Sequence, residues 1–240
     1  MKNTLRITAL AAFTLIGTAS FGQSLNMNGG FTTSTLRMAG MSNETSSETY
    51  NGGTYTSSSK YMNVSGFNVG VGYEFILGNR LSLETGVKYQ TRGHKMEYGY
   101  SFEGSSGNYS EINTVNYKMK YLDLPIVLNT AILTGDFRVY ARTGIYAGFM
   151  TGAKYSMRRE YTSSDGSSEL TEYSETVDMD GDDIGARITG GFVLGAGAEY
   201  KGFYLEANYN LGAYSLANLD YEVYTHDFSL SLGYKLKFNK

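Results

Sequence analysis

Strict alternation of apolar and polar residues near the C-terminus constrains the fold of this chain more than any other feature. Between Phe228 and Phe238 every even position is apolar, and every odd position is Ser, Gly or Lys. This period of two predicts a β-strand with one apolar and one polar face. Whether the apolar face contacts a protein core or lipid decides the class of protein.

The same alternation recurs in seven earlier segments, so the sequence predicts eight strands. They begin near Leu25, Phe67, Leu81, Leu122, Phe137, Ala186 and Phe203. The connections between them alternate in length. Short ones lie at residues 77–79, 134–135 and 201–202, and long ones at residues 38–60, 94–116, 157–183 and 214–225. Three of the long connections contain a central Gly-rich or Asp-Gly turn signal, which favours extended hairpins over coil.

The polar face indicates that it lines a narrow interior. It is dominated by Gly, Asn, Ser and Tyr, and its interspersed charges are Glu74, Glu84, Arg138, Arg142, Glu199 and Glu206. The interior of an eight-stranded barrel is just wide enough to be filled by side chains, and small residues with paired charges suit that space. The sequence therefore places the polar face inside a barrel.

The apolar face has the properties of a lipid-facing surface. It carries almost no charge, its length matches the roughly 9–11 residues of a tilted membrane strand, and aromatic residues lie near both ends. We therefore predict an all-β fold: an eight-stranded antiparallel up-and-down transmembrane β-barrel. The short turns would face the periplasm and the long loops the cell exterior.

The N-terminus resembles a secretory signal peptide. Lys2 and Arg6 precede a short apolar run, and Ser20 and Gly22 are small residues before a cleavage at Gln23. The apolar run is too short for a membrane helix. The predicted organisation is a signal peptide at residues 1–22 and an outer-membrane β-barrel domain at residues 23–240.

Composition excludes several kinds of chemistry. The chain has no cysteine, which excludes disulfides and thiolate catalysis, and its formal charge of −3 is too small to suggest a nucleic-acid partner. Its 30 Gly, 22 Tyr and 12 Phe are typical of a β-rich protein. We expect no cofactor.

The last strand resembles the signal by which the bacterial barrel assembly machinery recognises its substrates. That signal consists of a polar residue, a Gly and two spaced hydrophobic residues, which match Ser231, Gly233, Leu236 and Phe238. The resemblance implies that the assembly machinery is a partner during insertion. Two further residues follow Phe238, whereas the family signal usually ends at the terminus.

A second segment resembles a particular family. The run Tyr121, Leu122, Asp123, Leu124, Pro125 is similar to the strand motif of the PorT-like outer-membrane β-barrels of Bacteroidetes, which have OmpA- and OmpX-like eight-stranded folds. The resemblance implies an outer-membrane location. One branch of that family assists type IX protein secretion, and nothing in the sequence singles out that branch. A proline inside a strand removes a hydrogen-bond donor, so we expect irregular pairing at Pro125 and an inward Asp123.

Signals of catalysis and metal binding are weak. His94 could act as a base beside a loop serine, but no G-x-S-x-G motif occurs, and we expect no enzymatic activity. Asp178, Asp180, Asp182 and Asp183 suggest calcium, yet they match only a fragment of a calcium loop and lack its closing Glu. A solvated acidic loop with no metal is the favoured interpretation.

Basic residues cluster where the strands would leave the outer leaflet. They are Lys60, Arg92, Lys95, Lys118, Lys120, Lys154, Arg158 and Arg159. They could pair with the phosphates of lipopolysaccharide. Equally, they could be positive charge scattered at strand ends.

The six inward charges have two interpretations, a plug of ion pairs or a narrow ion path, and a lumen of eight strands favours the plug. The leading hypothesis is a non-enzymatic outer-membrane barrel with a role in envelope integrity, adhesion or accessory protein secretion. The alternatives are a small-solute channel and a soluble, exported, lipocalin-like binder.

Overall fold

The computed structural model describes residues 23–38, 42–50, 52–105, 107–177, 188–215 and 223–238. The predicted signal peptide, the acidic run at 178–183 and the end of the chain after Phe238 lie outside the described residues. In the described part of the chain, no helix is long and apolar enough to cross a membrane.

Ten antiparallel strands make up the described structure. They are β1 (Gln23–Met38), β2 (Glu44–Tyr50), β3 (Gly53–Ile76), β4 (Leu81–Gly104), β5 (Gly107–Leu133), β6 (Phe137–Ser163), β7 (Ser168–Val177), β8 (Ile188–Tyr200), β9 (Phe203–Ser215) and β10 (Val223–Phe238).

Eight of these strands close into a ring. Its order is β1, β3, β4, β5, β6, β8, β9 and β10, and β1 closes it by pairing with both β3 and β10. In the described part of the chain, β2 pairs only with β3, and β7 only with β6. Closure leaves no strand edge within the ring, so every backbone donor and acceptor there can pair internally. The predicted eight-stranded up-and-down barrel is confirmed.

The apolar face points out of the ring. On β10, Leu230 and Leu232 are 43% and 62% exposed, while the intervening Ser231 is 2% exposed. The same pattern holds on the other ring strands, where the exposed set is rich in Phe, Leu, Ile and Val and the buried set is polar. A soluble barrel would have the opposite arrangement, which excludes the lipocalin-like alternative.

The turn at Lys201 and Gly202 joins β8 to β9 as predicted. Tyr200 pairs with Phe203, and the two turn residues have φ angles of 49° and 88°. Positive φ at both central residues defines the two-residue turn whose twist matches that of the flanking strands. Glycine adopts this conformation without strain, and Lys201 is the only described non-glycine residue with positive φ.

Four ring strands are much longer than a membrane crossing requires. β5 and β6 have 27 residues each, and β3 and β4 have 24, against the roughly 9–11 that span a bilayer. Their excess lengths pair with one another and with β2 and β7 to form a second, open sheet beyond the barrel. We call this the outer sheet: β2, residues 53–63, 94–104, 107–119 and 153–163, and β7. Three of the four long connections are therefore extended hairpins, and their strands continue far beyond the predicted ends. The fourth, at residues 214–225, lies mostly outside the described residues.

The irregular pairing expected at Pro125 is found on one side of β5. Pro125 pairs regularly with Tyr146 on β6, whereas on the β4 side the pairs at Leu124 and Pro125 are missing with no change of register. The missing N–H therefore interrupts the ladder without inserting a residue. A register shift between β5 and β6 lies nearby, at Lys120 and Tyr121, where β6 has one extra residue.

Leu232→Arg tests the lipid face. Leu232 stands near the middle of β10, so a charge there would lie near the bilayer midplane and should lower the free energy of unfolding by about 2–4 kcal/mol. The control is Leu170→Arg, because Leu170 is 56% exposed on the outer sheet and should tolerate the charge in water. Urea unfolding in lipid vesicles measures both. Equal stability of the two variants would contradict the membrane assignment.

Phe238→Ser tests the assembly signal. Phe238 and Phe203 are 54% and 62% exposed at the same end of the barrel, so they contribute similarly to the folded state. Only Phe238 belongs to the predicted signal, and its replacement should slow insertion by the assembly machinery more than Phe203→Ser does. A time course of heat-modifiable migration on gels measures insertion. Matching rates would mean that the motif is coincidental.

Candidate functional site: the lumen and the outer sheet

All six predicted lumen charges form ion pairs, in two neighbouring sets that are centred on two arginines of β6. Arg138 Nη1 lies 3.1 Å from Glu74 and 3.7 Å from Glu199. Arg142 Nη2 lies 3.1 Å from Glu84, and its other terminal nitrogen contacts Glu206. The four carboxylates and Arg142 are almost completely buried. Such charges require partners, since an unpaired ion in this setting is strongly destabilising.

Two lysines of β10 belong to the set around Arg138, and sequence reasoning did not assign them to the lumen charges. Lys235 Nζ lies 2.7 Å from Glu74 and 3.5 Å from Glu199, and Lys237 Nζ lies 2.5 Å from Glu199. Four carboxylates thus face four basic groups. The sequence could have predicted their inward orientation, because both lysines occupy polar positions of the C-terminal alternation.

Two tyrosines fill the space around Lys235. The Tyr140 hydroxyl donates a hydrogen bond of 2.8 Å to Glu206. The rings of Tyr140 and Tyr204 lie 4.9 Å and 5.2 Å from the Lys235 ammonium, and both rings are buried. A Cβ atom at Gly197 or Gly233 would overlap these rings. Glycine therefore allows the tyrosines to lie flat across the lumen and close it.

A second charged cluster lies closer to the outer side and centres on Arg92. Its guanidinium lies 2.7 Å from Asp123 and 2.8 Å from Asp227. The rings of Tyr121 and Tyr146 flank it, each with a centroid 4.8 Å away. The prediction that Arg92 contacts lipid phosphates is wrong, because its even position on β4 directs it into the lumen, where it is 1% exposed.

The family-motif residues divide between the two faces of β5. Tyr121 and Asp123 point inward and hold Arg92, whereas Leu122 and Leu124 are exposed towards lipid. The inward orientation predicted for Asp123 is found. In the assembly motif, Ser231 donates to the buried Asn68 at 2.8 Å. Leu236 and Phe238 lie on the lipid face.

A small cavity separates the two charged layers. Its volume is about 50 Å³, which is room for roughly four water molecules. The amide atoms of Asn26 and the Oδ1 of Asn208 line it and have no hydrogen-bond partner in the protein. These groups favour a few internal waters, while the layers on either side interrupt the lumen.

The polarity of the two faces reverses where β4 leaves the barrel. Up to Arg92 the lumen side of this strand is polar and the outward side carries Leu83, Val87 and Tyr89. Beyond it the lumen side becomes aromatic and the outward side polar. The register with β5 is the same before and after this point. The strand therefore keeps its orientation while the environment changes from lipid to water.

The lumen side of the outer sheet carries two rows of aromatic rings, and we call this side the aromatic face. One row of rings crosses four strands through Tyr55, Phe102, Tyr109 and Tyr161, with centroid spacings of 4.6, 5.8 and 6.4 Å. A second row runs through His94, Tyr117, Tyr155 and Tyr173, with spacings of 4.8, 4.9 and 6.4 Å. His94 is therefore stacked in an aromatic row.

Carboxylates accompany the aromatic face. Glu48 pairs in register with Tyr55 at one edge of the sheet, and Glu169 pairs with Tyr161 at the other. Glu111 accepts a 2.8 Å hydrogen bond from Arg159. This bond holds the pKa of the Glu111 carboxyl below its usual value, which keeps it ionised near neutral pH.

The other predicted basic residues lie mainly on the outward face. Lys60, Lys118, Lys120 and Lys154 are exposed, and Lys118 pairs in register directly with Lys154. Arg158 forms ion pairs of 2.6 Å and 3.6 Å with Glu160 and Glu172. Only Arg159 belongs to the aromatic face. Among the residues placed by the structure, no group of three or more His, Asp or Glu could hold a metal ion.

A closed ring with an apolar exterior and an ion-paired lumen defines an integral β-barrel membrane protein. Residues 19–220 match the family described as outer membrane protein beta-barrel domain, and the chain belongs to this family. The protein is therefore located in the bacterial outer membrane. No curated protein matches its sequence.

Several solved structures are similar in architecture. Ail, the attachment invasion locus protein of Yersinia pestis, is 16% identical, with 90% of this chain and 99% of that chain covered and a TM-score of 0.38. OprG from Pseudomonas aeruginosa is 13% identical, with coverages of 90% and 97% and a TM-score of 0.36. The protease OmpT from Escherichia coli is 12% identical, with coverages of 92% and 99% and a TM-score of 0.35. No functional conclusion passes to this chain from similarities at this level.

Arg92→Met tests the upper cluster. The change leaves Asp123 and Asp227 buried without their shared cation and should lower the free energy of unfolding by about 3–5 kcal/mol. The triple variant Arg92→Met, Asp123→Asn, Asp227→Asn removes all three charges and should recover most of the loss. Urea unfolding in vesicles measures both. A triple variant less stable than Arg92→Met would contradict the ion-pair account.

Proposed function

We propose that the protein is a non-enzymatic binding protein of the outer membrane. In this proposal the barrel is a closed anchor, and the outer sheet presents the aromatic face to a partner outside the cell. Adhesion is the role that this arrangement favours among those open to an outer-membrane barrel.

The single observation that carries the proposal is the reversal of polarity between barrel and outer sheet. Tyr55, Tyr100 and Tyr173 are 50%, 53% and 53% exposed in a region that lies beyond the lipid-facing band. Contiguous aromatic surface exposed to water is costly and marks interaction sites. Tyrosine is enriched at such sites because it offers a large rigid contact area and a polar tip.

The lumen supports an anchor in preference to a channel. Buried ion pairs centred on Arg92 and Arg142 form separate layers, and the cavity between them is small. An ion crossing this barrel would have to disrupt both layers, and each holds charges whose separation is costly.

We also propose a place for the protein among the PorT-like barrels of Bacteroidetes. The contacts of Tyr121 and Asp123 with Arg92 give the shared motif a role in closing the barrel. That role is structural, so the motif by itself does not favour the branch that assists secretion.

Lipopolysaccharide is the proposed lipid partner. Lys118 and Lys154 lie directly opposite each other on the outward face, and like charges in that position repel unless an anion lies between them. A lipid phosphate would supply that anion at the level of the outer leaflet.

Conductance in planar bilayers tests the closed anchor against the alternative of a small-solute channel. The unmodified protein should show no steady conductance steps at high salt, since both charge layers block the lumen. Combined Arg92→Ala and Arg142→Ala should introduce a measurable ion leak. The matched control is Arg158→Ala with Arg159→Ala on the outer sheet, which should remain closed. Stable conductance of the unmodified protein would contradict the proposal.

A further inference from the structure

The aromatic face is acidic as well as aromatic, and we infer that it binds a basic, extended peptide segment of another protein. The inference rests on the proposed function and adds the chemistry of the partner. The observation behind it is that the carboxylates of this face bracket the rows of tyrosine rings.

The excess of negative charge follows from the register of the strands. Five carboxylates share the aromatic face with one guanidinium, that of Arg159, which is already paired with Glu111. The five are Glu44, Glu48, Glu111, Glu169 and Glu175. Four of them lie on the edge strands β2 and β7, outside the central rings. A ligand lying on the rings would therefore meet carboxylates on both sides.

Tyrosine rings and carboxylates favour the same ligand. The face of an aromatic ring attracts a cation through its quadrupole, and a carboxylate binds a guanidinium through two parallel hydrogen bonds. Arginine satisfies both, because its planar head stacks on rings while its N–H groups reach an acceptor. An acidic or sulfated ligand would be repelled by the same carboxylates.

The dimensions of the face favour an extended segment. Tyr109 and Tyr117 belong to different rows of rings on β5, and eight residues of strand at about 3.3 Å each separate them by roughly 26 Å. The rows themselves cross four strands, or about 14 Å at the usual strand spacing. A peptide of about eight residues lying along the strands would contact both rows with alternate side chains directed into the face.

The opposite face of the outer sheet provides an internal control. It carries Glu97 and Glu103 on β4 and the exposed apolar residues Ile112 and Leu170, but no tyrosine row. Charge and apolar area can therefore be removed from either face of the same sheet. Only the aromatic face combines rings with flanking carboxylates.

Binding of labelled decapeptides to the full chain in zwitterionic nanodiscs tests the inference. The probes are an alternating Arg–Thr peptide and an alternating Glu–Thr peptide, whose binding is measured by fluorescence anisotropy at constant salt. N-acetylated chitohexaose serves as a neutral competitor. The Arg–Thr peptide should bind at least tenfold more tightly than the Glu–Thr peptide. Tyr55→Ser with Tyr100→Ser should weaken its binding at least tenfold, and Glu48→Gln with Glu175→Gln should weaken it severalfold.

The matched controls lie on the outward face. Ile112→Ser with Leu170→Ser, and Glu97→Gln with Glu103→Gln, should change the affinity less than twofold. Heat-modifiable migration verifies that each variant is a folded barrel. All four tyrosine and glutamate sites of the aromatic face are substantially exposed, so their replacement should preserve the fold.

Three results would overturn the inference. They are equal affinity for the two peptides, equal effects of variants on the two faces, and binding of chitohexaose at Tyr55 and Tyr100 in place of the peptide. The last result would identify a glycan ligand and leave the proposed function intact. Failure of the proposed function is separately visible as steady conductance, so a closed barrel that binds no basic peptide contradicts only this inference.

Discussion

The lack of water in the bilayer core is the constraint on which the rest of the structure depends. Backbone groups in lipid must pair with one another, and the closed ring of eight strands achieves this. Closure at eight strands makes the lumen narrow, so charges within it must find partners. Arg92 and Arg142 each bridge two carboxylates. The ion pairs of the lumen are thus a consequence of how the backbone meets lipid.

The outer sheet shows what happens when that constraint ends. β3 to β6 continue beyond the bilayer, and β4 and β5 do so without any change of register between them. β3 and β6 each pass the boundary with a register shift against a neighbouring strand. Outside lipid, the outward face no longer needs to be apolar and becomes rich in Ser, Thr, Lys and Glu. The lumen side no longer faces a closed interior. It can carry large tyrosines because no strand lies opposite to limit their space. One set of strands therefore provides both a membrane barrel and an aromatic face in water.

Much of the barrel could be predicted from alternation alone, including the lipid face, the Lys201–Gly202 turn and the inward row of Arg138 and Arg142. Arg92 was assigned to lipid phosphates because it lies near the membrane boundary. Its even position, however, places it on the same polar, lumen-facing side of β4 as Gln90. The aromatic face was missed for a related reason. In β4 the last apolar residue at an odd position is Tyr89, and from Met96 onwards the apolar residues occupy even positions. A search for one unchanged alternation therefore ends the predicted strand near Tyr89. The partners in each ion pair could not be predicted, because they lie on different strands and depend on how those strands align in the folded barrel.

The most direct test of this account is the accessibility of single spin labels along β4, since the chain contains no cysteine that would compete for labelling. Outward labels at Leu83 and Val87 should be more accessible to oxygen, which concentrates in lipid. Labels at Glu97 and Ser101, on the same side of the same strand, should instead be more accessible to a water-soluble nickel complex, as should a label at Tyr100 on the aromatic face. Oxygen preference at Glu97 and Ser101, or protection of Tyr100 from both reagents, would contradict an aromatic face that stands in water above a closed barrel.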